Sequence, residues 1–239
     1  MWYNRWQYYI KGDVMLLAID TATRYAGLAL YDGERVLSEE TWRTANYHTV
    51  ELMPAIMRML ERQGTSVEVL TAVGISLGPG SFTGLRIGMG VAKGLVLARE
   101  IPLLGVPTLQ TVAYPHFSLQ RGAICAVVEA GRGRLCAQVY RRRRGRWRPM
   151  SRPQLVSPDK LCEMTEITTF FCGEIDATLS ALLRERLADK AILASPAASL
   201  RRASYLAELA WARFQQGEAD DVDTLSPIYL QQPVEGKGR

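Results

Sequence analysis

A chain of 239 residues, 48% apolar and 22% charged, has room for one large domain or two small ones and the composition of an ordinary soluble globular protein, not of a disordered or fibrous one. Its formal net charge of +5 comes largely from residues 141–148, where Arg141, Arg142, Arg143, Arg144, Arg146 and Arg148 crowd together. No apolar run approaches the roughly 18 residues of a membrane span, and the four cysteines form no Cys-x-x-Cys pair. A membrane anchor, a disulfide framework and a thiolate metal site are therefore disfavoured, and a cytoplasmic protein with buried, reduced thiols is expected.

Residues 1–14 carry aromatic and basic side chains without an apolar signal core and read as an N-terminal extension. Short apolar runs at 16–19 and 26–31, the turn pair Asp32-Gly33 and a third run at 35–41 predict three strands in two hairpins. A helix over 46–62, a strand over 72–77 and a helix over 85–99 follow. The order β-β-β-α-β-α is that of a ribonuclease H-like unit.

The second half repeats the plan, with strands at 124–128 and 135–140, a turn at Gly145 and a third strand beyond it. Aligning Ala18-Ile19-Asp20 with Val127-Val128-Glu129 brings the next apolar strands into register, as a duplicated unit would. Helices are expected over 158–164, 175–187 and 199–216, the last capped by Gly217, with a strand over 168–172. Pro107, Pro115 and Gly122 punctuate 106–122, which reads as the linker. The expected division is an extension at 1–14, lobes at 15–106 and 107–230, and a tail at 231–239.

Asp20 and Glu129, each at a strand end, would suit a magnesium nucleotide between the lobes. A hairpin that wraps phosphates needs glycine where its backbone meets them, and Asp20-Thr21-Ala22-Thr23 has alanine there. A paired glycine near Cys172-Gly173-Glu174, useful for seating an adenine ring, is also missing. The alternatives are a working ATPase cleft and a vestigial one, of Asp20, Thr21 and Glu129, in which Asp20 caps local backbone.

Gly74-Ile75-Ser76-Leu77-Gly78 matches Gly-x-Ser-x-Gly at a strand end, so a hydrolase must be weighed, but neither His48 nor His116 has an obvious orienting acid. No ligand-spaced cluster points to a metal, and no catalytic residue is assigned. The turn Gly78-Pro79-Gly80-Ser81 lacks the lysine of a phosphate loop and reads as a rigid turn with Ser81 as helix N-cap before Gly84. Beyond it the helix is apolar almost all round. Gly84, Gly88 and Ala92 share one line and Gly90, Gly94 and Ala98 another, and each glycine costs a helix about 1 kcal/mol relative to alanine. Close approach of another backbone is the expected reason. The apolar residues of helix 46–62 likewise spread over about 200°, twice the stripe a sheet-covering helix needs, and three methionines lie on the surplus face. A partner and a second element of the same chain are equal readings of that surplus. The arginine run reads as a solvated hairpin tip, with direct RNA contact as its alternative.

The segments Leu17-Ala18-Ile19-Asp20-Thr21-Ala22-Thr23, His48-Thr49 with Leu52-Met53-Pro54, the run from Gly78 to Gly88, and Ile101 through Leu109 together resemble the TsaB (YeaZ) family, as does Pro227-Ile228-Tyr229-Leu230. The resemblance implies an α/β, actin-like ATPase fold of two ribonuclease H-like lobes. It implies a non-catalytic scaffold for making N6-threonylcarbamoyladenosine next to the anticodon of tRNAs that read codons starting with A. The partners implied are a TsaD-like transferase paralogue, a TsaE-like ATPase and, for the chain alone, a second copy. By the same resemblance the pairing surface uses the first two helices, here Thr49, Leu52, Met53, Ile56, Met57, Leu60, Arg86, Met89, Gly90, Lys93 and Leu97. No cofactor is expected, with ATP or ADP entering only through the complex, and tRNA is met indirectly unless Arg141, Arg142, Arg143 and Arg144 touch it. The chain departs from the family's common Asp-Ala-Arg at Glu129-Ala130-Gly131, and from its common arginine at Gln231.

Overall fold

In the computed structural model, which describes residues 14–44, 48–118, 120, 122–131 and 133–230, the run Leu16–Asp20 (β1) is buried along its whole length, as a strand covered on both faces must be. It pairs antiparallel with Tyr25–Tyr31 (β2), and β2 pairs antiparallel with Val36–Arg43 (β3). The helix His48–Arg62 (α1) leads to Ala72–Gly78 (β4), parallel to β1, and Phe82–Arg99 (α2) leads to Leu103–Pro107 (β5), parallel to β4. Thr108–Ala113 (α3) carries the chain to a second sheet. There Ala123–Glu129 (β6), Leu135–Arg143 (β7) and Arg146–Pro149 (β8) run antiparallel, and Gln154–Val156 (β9) also pairs with β7. Pro158–Glu163 (α4) precedes Thr169–Gly173 (β10), which is parallel to β6, and Ala177–Leu187 (α5) precedes Ala191–Leu193 (β11), parallel to β10. Pro196–Ser199 (α6) and Ala203–Phe214 (α7) complete the elements.

The two sheet orders, β3-β2-β1-β4-β5 and β8-β7-β6-β10-β11, are the same plan twice. This is the duplicated, actin-like α/β architecture expected. Helices α1 and α2 cover one face of the first sheet, with Leu52, Ile56, Leu60 and Met89 among Leu17, Ile19, Val73 and Ile75. Its other face is covered by α7, through Leu206, Ala207 and Ala210 against Leu16, Ala18, Ala72 and Leu104. Conversely α3, contiguous with the first lobe, buries Leu109, Val112 and Ala113 on the second sheet beside Ile124, Ala126 and Val128.

Several expectations change accordingly. Segment 107–230 does not stay in the second lobe, because α7 returns to the first. Region 106–122 is no open linker, since it holds the end of β5 and the packed α3. The helix expected over 199–216 starts later, as α7 at Ala203, with Leu200 and Arg202 extended after the short α6 that ends at Ser199. Strands β9 and β11, of three residues each, are too short to show a period. Residues 1–13 and 231–239, Gln231 among them, lie outside the described residues, as do the side chains of His48 and Thr49 in the first turn of α1. Among the described residues no helix is long and apolar enough to cross a membrane.

Charged clamps hold the returning segment. Glu39 on β3 accepts from the Ser204 N–H at 2.9 Å and from Arg202 Nε at 2.8 Å, supplying the start of α7 with the cap its own Arg202 cannot. Past α7, Arg213 grips Asp220 with two parallel bonds of 2.8 and 3.0 Å, and Asp220 accepts from the Gly105 N–H at 2.6 Å. Partial burial acts to raise the Asp220 carboxyl, but Arg213 and the Gly105 amide outweigh it and hold it below the ordinary carboxylate range. A depressed carboxyl stabilises the fold above its unfolded pKa of about 4 and loses that contribution as pH falls. Asp220→Asn is expected to cost about 1–3 kcal/mol at pH 7 and to flatten the fall in Tm between about pH 5 and pH 3. Thermal melts across that range check it.

Candidate functional site

The carboxylate of Asp20, at the end of β1, is buried and fully engaged. Its Oδ1 accepts from the Ala22 N–H at 3.0 Å, and its Oδ2 takes the Nε–H of Arg201, from the extended link between α6 and α7. The same guanidinium donates from Nη2 to Thr23 Oγ1 and the Tyr25 carbonyl, each at 3.1 Å, and its Nη1 lies 3.9 Å from Glu174 Oε1. Glu174, directly after β10, also accepts from the Glu129 N–H at 2.8 Å. Burial opposes the charge on Arg201, yet Asp20 and Glu174 more than offset this and raise its pKa. A cation of the chain itself thus bridges the strand ends of both lobes. Glu174 stands where a second glycine would have left room.

The three residues read as a cleft therefore differ in environment: Asp20 and Thr21 are buried, whereas Glu129 is exposed. Thr21 donates its N–H to Ser76 Oγ at 3.3 Å, and its own hydroxyl has no hydrogen-bond partner. That hydroxyl lies against Gly88 of α2, where an added Cβ would stand 2.1 Å from Oγ1. Gly80 is as tight, with its Cβ position 2.0 Å from the Ala22 carbonyl oxygen, and the neighbouring Ser81 N–H donates to that carbonyl at 2.6 Å. Ser81 Oγ accepts from the Gly84 N–H at 3.2 Å, so the turn through Gly78 and Pro79 ends in a filled cap packed on the β1–β2 loop. Ser76 has 0% exposure on β4 in the first lobe. His116 lies against Phe170 of the second lobe, with ring centroids 4.8 Å apart, and its burial lowers its pKa. Among the described residues no His, Cys, Asp and Glu side chains gather as a metal-binding group.

The helical face divides sharply. Leu52, Ile56, Leu60 and Met89 belong to the chain's own core, which corrects their expected place at a partner surface. Outward on α1 are Val50 at 67% exposure, Met53 and Met57, and outward on α2 are Phe82, Arg86, Gly90, Gly94 and Leu97 at 63%. Lys93 is half-buried and reaches the Asp223 carbonyl at 3.5 Å. Added Cβ atoms at Gly90 and Gly94 would meet nothing within 4 Å. Gly88 is therefore required by the fold, while Gly90 and Gly94 have no reason within it. The C-terminal segment borders this face, with Tyr229 packed on Phe82 at 4.9 Å between ring centroids and Ile228 N–H donating to Leu77 O at 2.7 Å.

The family described as TsaD, tRNA N6-adenosine threonylcarbamoyltransferase, matches residues 36–235. The tRNA threonylcarbamoyladenosine biosynthesis protein TsaB of Escherichia coli (strain K12) is 28% identical over 93% of this chain and 96% of its own length. The protein of that name from Bacillus subtilis (strain 168) is 30% identical over 90% and 93% respectively. The chain belongs to the TsaB (YeaZ) family. The solved structure of YeaZ from Pseudomonas aeruginosa superposes with a TM-score of 0.73 at 26% identity, covering 91% of this chain and all of that one.

Within this TsaB-family chain, Arg201 and Glu174 are the cleft residues that sequence reading missed. Asp20 and Arg201 are 181 positions apart, and no local pattern marks an arginine that turns inward. Arg201→Ala leaves a buried carboxylate without its cation and is expected to cost about 3–5 kcal/mol. Ser76→Ala removes one neutral hydrogen bond and is expected to cost about 1 kcal/mol. Urea unfolding of the two variants separates these outcomes.

Proposed function

We propose that this chain is the non-catalytic scaffold subunit of the assembly that forms N6-threonylcarbamoyladenosine next to the anticodon of tRNAs reading A-starting codons. It pairs with a TsaD-like transferase paralogue, a TsaE-like ATPase joins them, and the assembly works in the cytoplasm. The part in threonylcarbamoyladenosine biosynthesis follows from the family and its named members. One observation carries the pairing: a solvent-facing strip on which Gly90 and Gly94 are bare between Arg86 and Leu97, next to Val50, Met53 and Met57 of the adjacent helix. Bare glycines on a helix let another helix approach closely, and methionines adapt to what arrives. A fold that gained nothing from them would be stabilised by alanine at both positions.

The cleft favours the same reading. A nucleotide between the lobes would need the ends of β1 and β10 free, and the Arg201 guanidinium lies between Asp20 and Glu174 there. The chain alone therefore takes no ATP or ADP in our reading, and catalysis rests with the paralogue. Without the paralogue the same strip pairs two copies of the chain.

The Gly90→Leu, Gly94→Leu double variant is expected to keep its fold and melt no lower than the parent. It should lose at least tenfold in affinity for the paralogue, about 1.4 kcal/mol or more. Co-purification and calorimetric titration read the loss; unchanged affinity would remove the strip from the interface. Leu52→Asp would instead unfold the chain through its core. Light scattering of the chain alone should show a dimer that the glycine variant dissociates.

A further inference from the structure

The β7–β8 hairpin carries the arginines in an arrangement that its own fold does not favour. Arg141 stands directly across from Arg148, and Arg143 from Arg146. Like charges facing one another across an antiparallel pair repel. Arg144 occupies the hairpin turn at a φ of 50° before Gly145 at 79°, a left-handed position where asparagine or glycine is the low-cost choice. Among the described residues none of the six arginines pairs with a carboxylate. Arg142 Nε has only the Gly145 carbonyl at 3.4 Å, and the buried Arg141 Nε has no hydrogen-bond partner. Arg143, Arg144, Arg146 and Arg148 line an open concavity of about 710 Å³.

The root of the hairpin is firmly seated. The Trp147 ring lies parallel to Phe117 at 5.0 Å with 8° between planes, and its Nε1–H donates to the Phe117 carbonyl at 2.7 Å. Phe117 packs in turn on Tyr140, with centroids 5.7 Å apart. The one aromatic ring of the arginine segment is thus spent on anchoring, and no free ring remains there to stack a base. The six positive charges exceed the +5 of the whole chain, so everything outside the hairpin sums to one negative charge. The segment uses arginine throughout, whose planar fork matches phosphate oxygens in a way the lysine ammonium does not.

We propose that this hairpin is a phosphate-backbone contact for RNA, holding the tRNA on which the assembly acts by charge and not by base sequence. The choice of tRNA rests on the function proposed above. An anionic bilayer fits less well, because such surfaces take apolar side chains beside the basic ones and Trp147 is committed to Phe117. An acidic protein partner fits less well too, since the exposed tip has no aromatic or aliphatic anchor.

The test is fluorescence anisotropy of a labelled, unmodified tRNA transcript with the full chain, alone and joined to the paralogue, between 50 and 200 mM KCl. The Arg143→Gln, Arg146→Gln, Arg148→Gln triple variant should bind at least tenfold more weakly and lose about two to three units of the slope of log K against log salt. The corresponding lysine variant should keep most of that slope. A tRNA with a different anticodon should bind equally well, as backbone contact requires. Removing facing like charges should leave the melting temperature unchanged or higher; if the triple variant does not fold, Arg146→Glu at its exposed site gives the same readout. Unchanged tRNA affinity and slope would overturn the proposal, as would tighter binding to phosphatidylglycerol vesicles or polyglutamate than to tRNA. Failure of the scaffold reading is separate. It appears as undisturbed pairing in the Gly90→Leu, Gly94→Leu variant, whose tRNA slope should match the parent's.

Discussion

The first sheet needs a helix on its second face, and the chain supplies one from beyond the other lobe. Strands β1, β2 and β4 are buried on both sides, so leaving the far side bare would expose Leu16, Ala18, Ala29 and Ala72 together. Helix α7 covers them at short range because its contact side is alanine-rich. An added Cβ at Gly74 would stand 2.9 Å from Ala210 Cβ, and one at Gly27 would stand 3.3 Å from Ala203 Cβ. The return of α7 ties the two lobes together and decides what lies at the cleft, since the residues just before α7 must pass the end of β1.

Arg201 sits in that passage. Its guanidinium makes two acids related by duplication physically unequal: Asp20 is buried and neutralised, while Glu129 stays in solvent and lends only its backbone N–H to Glu174. A buried carboxylate without a cation would be strongly disfavoured, so removing either Asp20 or Arg201 alone leaves the other charge buried without its direct partner. The acid that suggested metal-nucleotide chemistry thus has a structural partner within the chain.

The surplus apolar surface of the first two helices had two readings, and each holds for part of it. Leu52, Ile56, Leu60 and Met89 are covered by the same chain, whereas Val50, Met53, Met57 and Leu97 remain outside. A helical projection shows the width of an apolar arc but not which edge meets the sheet, because that depends on how the helix is rolled against its neighbours. The glycines divide in the same manner. Gly88 answers to Thr21, while Gly90 and Gly94, on the outward side of the same helix, answer to nothing within the fold.

Most strands of the two units, α1 and α2, the cap at Ser81 and the burial of the cysteines were legible because each rests on local chemistry or periodicity within about twenty residues, and the duplication because the pattern at Ala18-Ile19-Asp20 recurs at Val127-Val128-Glu129. The late start of α7 was not, because no local signal interrupts the pattern after Ser199, and the partners that hold the extended link, Asp20 for Arg201 and Glu39 for Arg202, lie far away in the chain. The amino-acid sequence by itself determined that two related α/β units form and that two helices carry more apolar surface than one sheet needs. Only the tertiary structure decided that the lobes exchange α3 and α7, that an arginine closes the cleft, and which helix residues face outward. Those outcomes rest on contacts between positions far apart in the chain, where burial and charge pairing act across distances that no local pattern records.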